Sequence, residues 1–412
     1  MAGVKAETAR LLEPIDLVRL GARTGMLWRG REATLAGLGT AVGSAAVAVD
    51  RPAETARLVE SIEPGHAEVT GPGTGAVALV TLPFDRSATG TLIVPRIVLG
   101  QARDGRRWLT VVGDPPPDLD AAREEVDAAL ARPVPAGPHP TDYHLRSPIA
   151  PETWRERVAG TVDRIRAGSF DKAVLARELE LVTDHPVDPA LVIDRLADTF
   201  GSANLFAVDG FVGASPEILV ARIDGIVSAH PLAGTAPRSD DPVRDQRAIT
   251  RLLASDKDRW EHQITIDWLL DRLLPFCSYV DAEPEPTIIT LPNVHHLGSR
   301  VEGVLDALRA GVLELVDVLH PTPAVGGHPQ AAAIDHIGAV EGIDRGRYAG
   351  PTGWVDAASN GEFAVSVRSA QLDGTTARLW AGAGIVEGSD PAAELAETRA
   401  KFQAVLGALV RP

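Results

Sequence analysis

The chain reads as an α+β protein built on antiparallel sheets, and three observations predict this. The first 112 or so residues alternate short apolar runs with Gly, Pro and Asp, as in GAVALVTLPF and ATGTLIVPRIVLG, which is the pattern of strands joined by hairpins. From about Pro151 onward, helical and strand patterns mix without the regular βαβ alternation that builds a parallel sheet. In AVSVRSAQLDGTTARLWAGAGIV, Asp373 and Gly374 stand between two β-rich runs, a pair suited to a tight hairpin turn.

In chain order, the strands of the first part show little chemistry. Residues 114–151 hold DPPP, a helical run DLDAAREEVDAALA and the proline-rich PVPAGPHPTDYHLRSP, which reads as a surface connection. It separates an N-terminal half, 1–150, from a second half, 151–412, of one fold. Beyond it, TWRERVAGTVDRIRAG and DPALVIDRLADTF read as helices, and KAVLARELELV, LFAVDGFVGAS and EILVARIDGIVSA as strands. In SDKDRWEHQITIDWLLDRLL, Ile266, Leu269, Leu270 and Leu273 keep amphipathic helical spacing. The last helix is predicted to start at Pro391 with Asp390 as its cap.

With 412 residues and 45% hydrophobic content the chain can bury a large core. A net charge of −16 argues against a nucleic-acid or anionic-membrane partner, because binding to phosphates needs a basic face. The single cysteine, Cys277, excludes an internal disulfide framework and a cysteine-based zinc site. MAGVKAETARLLEP gains acids before any apolar run, unlike a signal peptide, and the weakly polar run Ala36–Val49 is too short and glycine-rich to span a bilayer. A soluble, cytoplasmic protein is expected.

Only four of the forty basic side chains are lysines: Lys5, Lys172, Lys257 and Lys401. A desolvated lysine can act as a general base where arginine cannot, which makes Lys172 in FDKAVLAR a candidate. Asp258 and Glu261 share a helix face, as do Glu394 and Glu397, with Lys401 one turn further on. Four carboxylates on two helices offer hard oxygen ligands suited to Mg²⁺, while each pair taken alone is more often a solvated helix face. Arg368 in AVSVRSA is placed in a strand, where a buried guanidinium needs an anionic partner, either a substrate carboxylate or an aspartate. Gly382 and Gly384 mark a close approach of the backbone before a helix N-terminus, and Gly234 and Thr235 in PLAGTAPR a similar glycine loop. By default His295 and His296 are packing and hydrogen-bonding histidines. Since no lysine follows a glycine, a Walker A loop is excluded, and neither H-E-x-x-H nor G-x-S-x-G occurs.

In order, FDKAVLAR, FVGASPEIL, HPLAGTAPR, SDKDRWEHQITI, LPNVHHLGSRVEG, LHPTPAVGGHP, YAGPTGW, AVSVRSAQL and WAGAGIVEGSDPAAELAETRAK resemble the chorismate-binding enzymes, most closely the isochorismate synthases. The resemblance covers about residues 150 to 407. It implies one large α+β unit with two stacked antiparallel sheets and helices outside. It also implies a Mg²⁺-dependent reaction on chorismate, in which water adds at ring C2 as the C4 hydroxyl leaves. By the same resemblance Lys172 is the base that activates water and Glu217 the acid, so burial should lower the lysine pKa and raise that of the glutamate. Glu261 and Glu397 match the metal ligands, with Asp258 and Glu394 holding bound waters. Arg368 and Lys401 match the carboxylate-binding cations. Gly234, Thr235, Gly382 and Gly384 line the site, His296 contacts substrate, and Tyr348 takes an aromatic position. Lys172 and Ala233 together point away from the ammonia-using relatives, so no glutaminase partner is expected and a monomer is. Salicylate synthases share the lysine but tend to carry threonine at the position of Ala324, which makes them the alternative and points this chain toward stopping at isochorismate. A chorismate-binding protein without catalysis is the non-enzyme alternative, and it should have lost Lys172, Glu217 or a metal carboxylate.

Overall fold

The computed structural model describes residues 3–132, 139–306 and 310–410, apart from the side chains of residues 42–45. Two large sheets face each other, held together by two long strands that belong to both. Strand Gly90–Ala102 pairs along its length with Ala33–Val47, while its other edge meets Val77–Thr81 early and Arg107–Gly113 late. Pro95 lies between those two stretches, opposite Thr40, where the register slips. A proline has no ladder donor to lose there.

One sheet continues from Val77–Thr81 through Pro351–Asp356, Gly361–Val365, Ile218–Ile223, Ile226–His230 and Val301–Leu305 to Cys277–Ala282. The other runs from Ala33–Val47 through Met26–Arg29, Asn204–Val208, Phe211–Ser215, Ser369–Asp373 and Thr376–Ile385 to Lys172–Thr183. Strands before residue 150 therefore pair directly with strands after it. Alternation along Asn204–Val208 shows the two faces. Phe206 and Val208 join Trp28, Trp354 and Phe363 in the core between the sheets, and Leu205 and Ala207 join Val192, Leu196, Phe402 and Val405 beneath the helices Pro189–Thr199 and Pro391–Val410. Trp28 reaches across the core and donates from its indole N–H to Glu362, 3.1 Å away.

The α+β class, the helices at Pro151–Arg166 and Leu119–Ala131 and the turn at Asp373–Gly374 are present as expected. Several expectations are corrected. The N-terminal part is not strands alone, because Leu17–Thr24 and Pro52–Glu60 are helices, capped by Asp16 and begun by a proline respectively. Both are short, so neither shows a long helical period. One pairing, Lys5–Arg10 with Glu63–Ala67, is parallel. Residues 232–237 are a strand rather than a loop: Gly234 makes the bulge, with φ +73°, a conformation costly to side chains with a Cβ. Arg368 is not within a strand. It lies between Gly361–Val365 and Ser369–Asp373 with φ +54°, so the alternation assumed for it is broken at the residue itself. The proline-rich stretch at 133–138 lies outside the described residues. No helix among the described residues is long and apolar enough to cross a membrane.

Candidate active site

A cavity of about 490 Å³ opens where five pieces of the fold meet. The neighbouring strands Lys172–Thr183 and Thr376–Ile385 form its floor, pairing Val174 with Gly384 and Ala176 with Gly382. The small sheet of Leu232–Pro237, Thr287–Thr290 and Val294–Gly298 forms one wall. The N-terminal turns of the helices Asp256–Leu273 and Pro391–Val410 supply the four carboxylates. Each of those turns is fixed by a side-chain cap: Ser255 accepts from the Asp258 N–H and Asp390 from the Ala393 N–H.

Of the side chains singled out from sequence, Glu217, Gly234, Thr235, Asp258, Glu261, His296, Ala324, Tyr348, Arg368, Gly382, Gly384, Glu394, Glu397 and Lys401 line this cavity. Lys172 does not line it directly. It is fully buried behind Glu261, with its ammonium 2.8 Å from a Glu261 oxygen. Gly384 makes the arrangement possible, since a Cβ there would stand 2.6 Å from that carboxylate and 3.1 Å from Lys172 Cε. At Gly382 a Cβ would meet the Tyr348 hydroxyl at 3.1 Å.

Glu217 follows Ser215, whose hydroxyl accepts from the Glu217 N–H and donates to the Val365 carbonyl at 2.6 Å. Burial pushes the Glu217 carboxyl up to about 8, against the opposing pull of the Leu232 N–H and of Lys172, Arg368 and Lys401. It therefore holds its proton at neutral pH. Burial, then the charges of Arg368 and Lys401, push His296 down to about 3, so the imidazole is neutral. Its tautomer follows from its neighbours. Nδ1 faces the Gly234 carbonyl and the Thr235 hydroxyl, each at 3.1 Å, and so carries the hydrogen; Nε2 then accepts from Arg368 Nη2 at 3.4 Å. Arg368 is buried with its Nε unpartnered among the described residues, a guanidinium edge left for an anion. Burial also raises Tyr348 to about 12, which keeps its hydroxyl a donor, and its ring stacks on Trp380.

The carboxylates are matched by lysines. Lys172 pairs with Glu261, Lys257 with Glu394 at 3.5 Å and Lys401 with Glu397 at 2.6 Å, while Lys401 also donates to the Gly382 carbonyl. Burial raises Asp258 and Glu394, and the charges of Glu261 and Glu397 raise them further. Glu261 goes the other way: burial pulls it up, and Lys172, Lys257 and Lys401 together pull it lower than it would be in water. Among the described residues no three acidic or imidazole groups converge on one point a metal could fill. The all-oxygen donor set and the mutual repulsion of its members fit a hard divalent cation, which would relieve that repulsion.

Sequence reasoning did not single out Lys257 as a member of the site, nor Arg345, which also lines the cavity. Lys257 could have been found from the rarity of lysine in this chain. His295 stays outside the cavity, bonded to Thr290 and Asp245 as a packing histidine.

The chain is similar to known proteins in sequence and fold. The chain is 36% identical over 80% of its length to the isochorismate synthase DhbC of Bacillus subtilis, covering 79% of that protein. It is 40% identical over 68% of its length to a salicylate biosynthesis isochorismate synthase of Pseudomonas aeruginosa, covering 59% of it. Its fold superimposes with a TM-score of 0.81 and 26% identity on MenF, the menaquinone-specific isochorismate synthase of Escherichia coli, over 99% of this chain and 95% of that one. The family model described as chorismate binding enzyme matches residues 7–410, reaching well beyond the segments that carry the sequence motifs, and the chain belongs to that family.

Proposed function

We propose that the protein is an isochorismate synthase that adds water at C2 of chorismate while the C4 hydroxyl departs. The observation that carries this reading is Glu217, a carboxyl held protonated near neutral pH in the same cavity whose floor strand begins with Lys172. An acid and a base on one substrate are what the exchange needs. Lys172 takes a proton from the attacking water as the C2–O bond forms, and Glu217 gives its proton to the hydroxyl as the C4–O bond breaks. One water enters and one leaves, and the proton passes back from Lys172 to Glu217 through solvent before the next turnover.

Chorismate is a dicarboxylate, and the buried cations suit it. The free edge of Arg368 and the Lys401 ammonium are the groups for its carboxylates, with His296 holding the guanidinium in place from behind. With Glu217 protonated, the carboxylates Asp258, Glu261, Glu394 and Glu397 face the cations Lys257, Lys401 and Arg368 in one cavity, so a dianion is best accepted together with a dication. A Mg²⁺ ion held by Glu261 and Glu397, with Asp258 and Glu394 on its waters, would supply that dication and polarise the ring carboxylate.

Salicylate synthase is the second reading, and Ala324 disfavours it. Its methyl offers the enolpyruvyl group no hydrogen bond with which to bring that group toward the C2 hydrogen for pyruvate elimination. Incubation of purified protein with chorismate and Mg²⁺, followed by chromatography, should give isochorismate with little pyruvate. Salicylate and pyruvate as the main products would transfer the assignment to salicylate synthase, and unconsumed chorismate would leave a binding protein.

A further inference from the structure

The strand that begins with Lys172 has an unusual edge. On one side Thr376–Ile385 pairs with it from Ala173 to Val182. On the other, Gly327–His328 covers only its first two residues and Tyr143–Arg146 only Glu180–Thr183. Between these two pairings Val174 and Ala176 have no strand to meet. The Val174 N–H donates to the Gly326 carbonyl and the Ala176 carbonyl accepts from the Trp154 indole. That leaves the Val174 carbonyl and the Ala176 N–H, and buried backbone polar groups left unpaired are costly.

Two side chains fill that gap. Glu341 and Arg345 are almost fully buried and form a two-pronged ion pair, Nε to Oε2 at 2.7 Å and Nη2 to Oε1 at 2.6 Å. Glu341 Oε1 also accepts from the Ala176 N–H at 2.6 Å, and Arg345 Nη2 donates to the Val174 carbonyl at 2.6 Å. Arg345 Nη1 donates to the carbonyl of Val325, the residue after Ala324, at 2.9 Å. The guanidinium lies 4.0 Å from the centre of the Phe84 ring, and the Arg345 carbonyl accepts from the Tyr348 N–H. Arg345 thus touches the lysine strand and the Ala324 segment through its planar fork, and Tyr348 through its backbone carbonyl.

We propose that Glu341 and Arg345 are positioning residues for the reaction, taking the place of a missing strand so that the strand of Lys172 and the segment of Ala324 keep a fixed relation to each other. The proposal rests on the isochorismate synthase reading above. The groups assigned to the substrate carboxylates are Arg368 and Lys401, neither of which the fork touches, so the fork acts on the base and on the pocket wall rather than on affinity. Lysine cannot replace the fork, because one ammonium on a flexible stem cannot pair with both carboxylate oxygens while reaching two carbonyls. Loss of the fork lets the base drift on the ångström scale to which such geometry is sensitive.

The test compares wild type, Arg345→Lys and Glu341→Gln as full-length proteins. Their chorismate KM, kcat and pyruvate released per turnover would be measured on samples whose circular dichroism and thermal midpoint show a folded state. Arg345→Lys should lose about 10-fold to 100-fold in kcat with KM changed by less than about 3-fold, and release a larger pyruvate fraction. Glu341→Gln keeps an acceptor for Ala176 and should fall between it and wild type. If either folded variant matches wild type in kcat and pyruvate fraction, or if kcat and KM worsen together in proportion, the positioning role is overturned. A variant that does not fold leaves the decision to the other, and unfolding of both would overturn the proposal in favour of a purely structural pair. Wild-type protein that leaves chorismate untouched refutes the underlying reading instead, a different result from active wild type with indifferent variants.

Discussion

Removing the Lys172 amine should leave a folded enzyme without activity. Lys172→Ala deletes the group assigned to deprotonate water, and loss of a general base costs about 10²-fold to 10⁴-fold in rate. Near-wild-type turnover in that variant would sink the assignment. Glu217→Gln keeps shape and polarity but has no acidic proton, so the rate should fall by a similar factor while calorimetric binding of chorismate changes little. For the wild type, activity should decline on the alkaline side as pH passes about 8, where Glu217 loses its proton. Ala324→Thr places a hydroxyl and a methyl beside the enolpyruvyl group and should raise the pyruvate and salicylate share at some cost in isochorismate. Lys172 was legible because a lysine is rare in this arginine-rich chain, whereas the roles of Glu217 and Ala324 came only from the family resemblance. What could not be read was Lys172 pairing with Glu261 behind the cavity wall, since the two are 89 residues apart, 261 − 172, and meet only through strand and helix packing.

At the scale of elements, the site depends on two helix N-termini facing one pair of strands. Gly384→Ala would put a Cβ 2.6 Å from the Glu261 carboxylate, whose flexible end can yield. The fold should survive with a thermal midpoint close to wild type, while activity drops because Glu261 is displaced; unchanged kinetics would show that the close approach is not needed. Glu261→Gln and Glu397→Gln should each weaken Mg²⁺ binding measured calorimetrically, and EDTA should abolish activity until Mg²⁺ is restored. Helices with a clear apolar period were readable from sequence, as Ile266, Leu269 and Leu273 show by being buried. The bulge at Gly234 and the left-handed Arg368 were not, because both are imposed by strand pairing rather than by local pattern.

For the whole molecule, buried ionisable groups set how stability varies with pH. His296 is held down at about 3 and His262 and His320 at about 4, so protonating them in the unfolded chain opposes folding as pH falls from about 6.5. Glu217 works in the opposite sense. The unfolded chain releases this proton near the ordinary 4.5 while the folded one keeps it to about 8, so stability is lost as pH rises through that interval. Glu362, held by burial at about 7 against the Trp28 indole and two backbone N–H groups, adds to the same loss up to its own value. Thermal midpoints in chelated buffer should therefore peak near pH 6 to 7, and Glu217→Gln should flatten the decline between pH 7 and 8.5. A steeper decline in that variant would contradict the buried neutral acid. The α+β class was legible because hairpin and helix patterns are local, whereas the two strands shared between sheets were not, their role being fixed by partners far away in the chain.

Turnover of chorismate in H₂¹⁸O with Mg²⁺, analysed by mass spectrometry with fragmentation of the ring, tests the central claim most directly. Water addition predicts isochorismate carrying one ¹⁸O at C2 and no label elsewhere at early times, formed about 10²-fold to 10⁴-fold more slowly by Lys172→Ala. Unlabelled isochorismate, as an internal transfer of the C4 hydroxyl would give, or labelled product at an undiminished rate from Lys172→Ala, would contradict it.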